Sequence, residues 1–525
     1  MNGHRPGSGV AGPVLVAGGG PIGLVTALGL ARYGIRSVVL EADEHLPTGA
    51  GAGVLVSRSL EVLDRYGAAE DVVSAALRVD EIGDLDRFTR RRTQTVKFDL
   101  LAGDTRFPFL ANLPQHRLTS LLAGVLLRTG LGELRTGHRL TDLRDGDDGV
   151  TATVRTARTE YQFQTPYLLG CDGTRSTVRQ LIGVAAPSTT PPESHAIVDV
   201  EIDLDLANPR DYPYLSYFVD PAEWLVLVRL PEYWRLIYPV PPESPPPTPM
   251  GIAARVRRFL GEIDWLHVLD SQVYTAHHQV AQRWRVGRVF LLGDAAHSVS
   301  PLWSLGLNVG VLDASNLPWR LAWVLRNRAS AELLDGYEVE QHPLAAHGAG
   351  ELAEAARRLI ARRGSRTVSG SWGTVSTRSL LGVRLDSEGR SSLLRTQDSP
   401  PPVRVGDRVP DTVLRGPDGP VSIHQLAHDC FVALHFGDAR RRPSLPASSP
   451  TYTHWLVSRW DVPPGSGLRG RLLLDPGGRV ATRLGCPPNS VCLVRPDGHV
   501  AAVESRISAV HAVYRRITGN RSGNV

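Results

Sequence analysis

A glycine-rich turn set between a short apolar strand and a helix constrains this chain more than any other feature. Val14-Leu15-Val16-Ala17 reads as a buried strand, and Pro21 to Tyr33 reads as a helix closed by Gly34. Between them Gly18-Gly19-Gly20-Pro21-Ile22-Gly23 fits G-x-G-x-x-G. Gly18 permits the tight turn, Gly20 lets backbone approach a pyrophosphate, and Gly23 lets helix pack on strand. The helix N-terminus, which opens on Pro21, offers free N–H groups from Ile22 onward and a positive dipole end to phosphates. Ser37-Val38-Val39-Leu40 forms a second strand ending at Glu41 and Ala42, where the Glu41 carboxylate can accept hydrogen bonds from an adenosine ribose. A dinucleotide is the expected ligand. The pattern alone does not separate NAD from FAD.

Two more apolar strands end at acidic turns. Tyr167-Leu168-Leu169 leads to Gly170-Cys171-Asp172-Gly173, and Val289-Phe290-Leu291-Leu292 leads to Gly293-Asp294. Ligands of doubly wound sheets sit at such carboxyl ends. A carboxylate after a buried strand needs donors, which a polyol supplies to Asp294, and capping of the following Ala295-Ala296 fits the same residue equally well. His297 reads as a structural residue. Between 187 and 280, proline clusters bracket strand-like runs such as Trp224-Leu225-Val226-Leu227-Val228, which suggests an inserted β-rich domain. Ala331 to Arg363 is helical in pattern. The stretch 364–402, rich in Ser, Gly and Arg, reads as a linker.

The second half of the chain carries a resemblance. Gly293-Asp294-Ala295-Ala296-His297, Pro301, Gly306-Leu307-Asn308-Val309-Gly310 and Asp313-Ala314 resemble the second FAD fingerprint of the group A flavoprotein aromatic hydroxylases. Cys171-Asp172-Gly173 with Ser176 and Val178-Arg179 resembles the middle fingerprint of that family, and Leu113-Pro114-Gln115 resembles its flavin-contacting Pro-Gln element. The resemblance implies non-covalent FAD, NADPH as co-substrate and a small aromatic or polyketide substrate. It places Asp294 on a ribityl hydroxyl, Gln115 at the ribityl and phosphate region, and Asp172 near the pyrophosphate. The helix beginning at Gly306-Leu307-Asn308 would point at the flavin pyrimidine edge. Gly406-Asp407-Arg408-Val409-Pro410-Asp411, Leu472-Leu473-Leu474-Asp475-Pro476 and Leu493-Val494-Arg495-Pro496-Asp497-Gly498 resemble the thioredoxin-like C-terminal domain of phenol and polyketide hydroxylases. With no CxxC pair, that unit is expected to serve packing or dimer contact rather than thiol exchange.

The expected architecture is α/β: a Rossmann-type FAD-binding domain in two parts (1–186 and 281–363), a β-sheet substrate domain inserted between them (187–280), a linker (364–402) and a thioredoxin-like domain (403–525). The expected reaction is FAD-dependent hydroxylation of, or oxygen insertion into, an aromatic or polyketide-derived compound in secondary metabolism. A non-redox cyclisation of Diels-Alder type, with FAD as a structural cofactor, is the alternative. Two departures bear on that choice. Pro301-Leu302-Trp303-Ser304-Leu305-Gly306 lacks the glycine pair usual in the family, and the loop Gly49-Ala50-Gly51-Ala52-Gly53 lacks its arginine, which would fall at about Gly51. No catalytic acid or base is legible.

Composition narrows the rest. Four scattered cysteines make neither a disulfide framework nor a metal site, which fits a reducing cytoplasm. The +5 formal charge comes from dispersed arginines, with Lys97 the only lysine, so no nucleic-acid surface is expected. No apolar run approaches the roughly 20 residues of a membrane helix. A monomer or homodimer is expected.

Overall fold

The protein is described from a computed structural model over residues 12–49, 51–188, 193–204, 212–218, 223–241, 243–261, 263–276, 278–298, 305–349, 403–462 and 467–519. The glycine turn belongs to a six-stranded sheet. Its order is Arg285–Val286, Val289–Leu291, Leu168–Gly170, Val14–Ala17, Ser37–Leu40 and Gly132–Arg135. All pairs are parallel except the edge pair Arg285–Val286 with Val289–Leu291. The central strands are buried along their whole length, as continuous apolar runs covered on both faces should be. The expected first helix spans Pro21–Arg32 with Pro21 at its start, where a missing N–H costs nothing. It shares one core with helix Leu305–Leu325 and helix Gln115–Arg128.

The β-rich insert is larger than 187–280. A seven-stranded sheet runs in the order Leu266–Ala276, Glu193–Ile202, Trp234–Val240, Leu225–Arg229, Leu215–Phe218, Glu81–Leu85 and Arg92–Lys97. The last two strands come from the stretch assigned by sequence to the first FAD-binding part. Short, charge-bearing strands of this kind give no apolar signal, and they join the sheet because Leu215–Phe218 pairs in parallel with Glu81–Leu85. Alternation then divides the sheet. Ala196, Val198, Val200, Trp234 and Leu236 pack beneath helix Pro249–Leu260. Ile197, Asp199, Arg235 and Ile237, the alternate residues of the same paired strands, take the opposite face.

Residues 403–519 build a third, mixed seven-stranded sheet in the order Gly419–Ser422, Val413–Gly416, Leu472–Leu474, Tyr452–Ser458, Phe431–Phe436, Val491–Val494 and Val500–Glu504. Phe431 meets Trp319 and Trp323 edge-on, so this unit shares the core of the first. Buried charges cross the same junction: Arg408 binds Glu61, Arg58 donates to the Asp497 carbonyl at 3.1 Å, and Arg495 binds Glu340 at 2.7 and 2.9 Å. The linker 364–402 and the end of the Ala331 to Arg363 helical stretch lie outside the described residues. Among those described, no helix is long and apolar enough to cross a membrane.

Candidate active site

The turn is as tight as its glycines require. Gly18 adopts φ 110°, and a Cβ there would lie 2.3 Å from the Cys171 carbonyl oxygen. A Cβ on Gly23 would lie 2.0 Å from the Gly18 oxygen. Gly20 faces open space, with nothing within 4 Å of where its Cβ would be. The Glu41 carboxylate accepts from the Gly19 N–H at 2.9 Å and the Asp43 N–H at 3.1 Å, so it braces the turn while bordering the cavity beside it. That cavity, of about 360 Å³, is lined by Gly18, Gly20, Glu41, Ala42 and Asp172. His138, Arg139 and Arg175 join them, and no sequence motif announced these three. Asp172 is already engaged: one oxygen takes the Ser176 hydroxyl at 2.5 Å and the other the Val178 N–H at 3.0 Å. It shapes the wall by holding the first turn of helix Thr177–Leu181, whose N-cap is Ser176.

A second cavity, of about 370 Å³, shares Gly20, Cys171 and Gly173 with the first. Together they form one trough bent around the turn. Pro21, Ile22, Gln115, Asp294, Gly306 and Leu307 converge here, and the inward face of the second sheet closes it with Ile197, Val228, Arg235, Ile237 and Tyr274. The sequence pointed to the former set and missed the latter. Asp294 is half-buried, with the Thr174 hydroxyl at 3.3 Å, and burial pushes its carboxyl above the usual range against the pull of His297. Hydroxyl donors from a polyol would satisfy it. Donor set, open glycine and elongated trough fit FAD.

Several expected residues sit elsewhere. Asn308 does not line the trough: its Oδ1 accepts from the Val56 N–H at 3.0 Å and the Ser59 hydroxyl at 2.7 Å, and its Nδ2 donates to the Val54 carbonyl at 3.0 Å. It staples helix Ser57–Arg65 to helix Leu305–Leu325. Gly293 lies behind the wall, donating its N–H to Asp313 at 2.9 Å. His297 is buried, 2.8 Å from the same carboxylate and stacked on Trp284, which agrees with a structural role. Pro301 and Trp303 lie outside the described residues. At Gly51 a Cβ would lie 2.2 Å from the Gln115 Oε1, which itself accepts from the Ala52 N–H at 3.0 Å. A side chain at Gly51 would have to displace the Gln115 amide, while Gly49 earlier in the loop has nothing within 4 Å of its Cβ position. Arg235 reaches the loop from the second sheet, donating to the Gly51 carbonyl.

A profile of the family described as "FAD binding domain" matches residues 12–349. A 12-dehydrotetracycline 5-monooxygenase/anhydrotetracycline 6-monooxygenase of Streptomyces rimosus is 34% identical over 350 residues, covering 63% of this chain and 67% of that protein. A 6-methylpretetramide 4-monooxygenase of the same species is 29% identical over 534 aligned positions, covering 94% and 91%. Among solved structures, a ternary complex of aklavinone-11 hydroxylase with FAD and aklavinone superposes with a TM-score of 0.78 at 27% identity, covering 99% of this chain and 100% of that one.

Proposed function

The chain belongs to the FAD-binding-domain family of flavoprotein monooxygenases, and from that premise we propose that it hydroxylates, or inserts oxygen into, an aromatic or polyketide-derived compound, with NADPH as reductant. The observation that carries this reading is the single trough, which runs from the glycine turn to an apolar wall on the second sheet. When bound, FAD supplies reduction by a nicotinamide and activation of dioxygen. The residues of this chain bind, orient and keep out water. The turn from Gly18 to Gly23 and the N-terminus of helix Pro21–Arg32 take the pyrophosphate, and Asp294 accepts from the ribityl chain. Gln115 fixes the loop at Ala52. Ile197, Val228 and Ile237 present an aliphatic surface to a flat ring. Tyr274, its hydroxyl pushed up by burial and by nearby Asp294, stays protonated as a donor. Residues 403–525 serve as a thioredoxin-like packing or dimer-contact unit.

A flavin-containing cyclase is the second reading, favoured by a loop without the arginine usual in the family, where a side chain at Gly51 would displace the Gln115 amide. Anaerobic stopped-flow mixing with NADPH separates the two. Flavin bleaching that a polyketide substrate accelerates supports the oxygenase. Substrate conversion without oxygen, with the flavin still oxidised, eliminates it.

A further inference from the structure

The substrate-side cavity has a charge balance that limits what it can hold. Among its described lining residues Arg235 is the one cation and Asp294 the one anion. Arg235 and Asp199 face each other in register across two paired strands. The guanidinium is committed there: Nε lies 2.7 Å from Asp199 Oδ1 and Nη2 lies 2.8 Å from Oδ2, with both side chains buried. Nη1 donates to the Gly51 carbonyl. Burial opposes the charge on Arg235, and the Asp199 carboxylate more than compensates, holding it above its ordinary value.

We infer that Asp199, acting through Arg235, sets substrate charge: it makes this cavity a site for an uncharged aromatic ring system and closes it to arenes bearing a carboxylate or sulfonate. The inference rests on reading this cavity as the substrate site, and is independent of the reaction performed there. An anionic arene entering here meets no unpaired cation among the described lining residues. It has to break a buried bidentate pair or remain unpaired beside Asp294, and both are costly in a desolvated cavity. A phenol or quinone needs only single hydrogen bonds, which the Tyr274 hydroxyl can provide.

The test uses the full-length, FAD-loaded protein, titrated with a dihydroxyanthraquinone and with the same ring system bearing one carboxylate, binding being followed by perturbation of the flavin absorbance. The uncharged ring should bind at least about 100-fold more tightly. Asp199→Asn keeps the shape and removes the charge, so Arg235 becomes available and the preference should fall by about 10-fold or more, while affinity for the uncharged ring changes by less than about 3-fold. A role in structure alone would weaken both ligands together. Should Asp199→Asn lose FAD, the double variant Asp199→Leu with Arg235→Met supplies the comparison, since a cavity with neither charge must still reject the anion. Equal or tighter binding of the carboxylated ring by the wild type overturns the inference, as does an unchanged preference in Asp199→Asn or equal binding in the double variant. If neither ring perturbs the flavin, the inference falls together with the assignment of the site. An intact preference without hydroxylation overturns only the proposed reaction.

Discussion

At the residue scale, Asp294 carries the most weight. It is held by one weak protein contact and opens on the trough, so its carboxylate is available to a ligand hydroxyl. Asp294→Ala should weaken FAD by roughly 10- to 100-fold, the effect of losing a charged acceptor worth about 1.5–3 kcal/mol. Flavin absorbance per protein after desalting reads this directly, and full occupancy in the variant would show that the ribityl chain lies elsewhere. Gly51 gives a prediction that runs against the family pattern. Introducing the arginine as Gly51→Arg should not speed reduction, because the new Cβ collides with Gln115; FAD occupancy should drop by an amount matching about 1–3 kcal/mol of overpacking. Faster flavin bleaching with occupancy retained would sink this account. What was legible in the sequence at this scale was local. Gly18, Gly20 and Gly23 announce themselves because strand, turn and helix start are contiguous, and Glu41 and Asp294 because each follows closely on the end of an apolar strand. Arg235 could not be found that way, since the loop it serves lies 184 residues away. The side-chain partners of Asn308 were hidden for the same reason: the Val56 N–H that donates to its Oδ1 is 252 residues away.

At the scale of elements, helix Ser57–Arg65 links the trough to the C-terminal unit. Its start is stapled to helix Leu305–Leu325 through Asn308, and Glu61 one turn on is bound by Arg58 and by Arg408. Burial alone would push the Glu61 carboxyl up, but Arg408, His424 and Arg58 bring it down to about 2. Glu340 is brought to about 2 against burial by Arg320 and Arg495. Both folded values lie below the usual 4.5. The stability these groups contribute is therefore fully present above that pH and is lost as pH falls toward 2. Arg408→Ala should cost about 3–5 kcal/mol at neutral pH, since a buried carboxylate loses one of its two partners. The variant should also show a shallower loss of stability between pH 4.5 and 2, because part of that contribution is already gone. Denaturant titrations across that range check both, and a variant as stable as the parent at pH 7 would refute the account. The amphipathic strands of the second sheet were legible as strands. Their inward face was not, since alternation does not say which set meets the cofactor, and Glu81–Leu85 was missed because nothing local marks it as part of that sheet.

At the scale of the whole molecule, the question is whether the C-terminal unit is an appendage or part of the fold. The sequence marks a boundary near 403 and suggests a separate domain. Packing argues the other way. Phe431 is buried against Trp319 and Trp323, Tyr514 packs edge-on against Phe431, and the Trp319 indole donates to Asp497 at 3.2 Å. Removal of residues 403–525 would leave Trp319 and Trp323 facing water, and Glu61 and Glu340 each with one arginine partner instead of two, Arg58 and Arg320 remaining. Exposed aromatic surface promotes aggregation, and half-paired charges that were buried weaken the helices carrying them. The helix of Glu61 is stapled through Asn308 to helix Leu305–Leu325, whose first residues border the trough, so the damage reaches the flavin site. A chain ending at 402 should therefore be insoluble or, if recovered, should bind FAD at least about 10-fold more weakly, which is roughly 1.4 kcal/mol of lost support. The comparison that decides this is sedimentation and flavin content of the truncated and full-length proteins prepared side by side. A soluble, cooperatively unfolding truncation with a full complement of FAD would mean that the junction only attaches two independent domains, and that the buried arginines serve their own unit rather than the site.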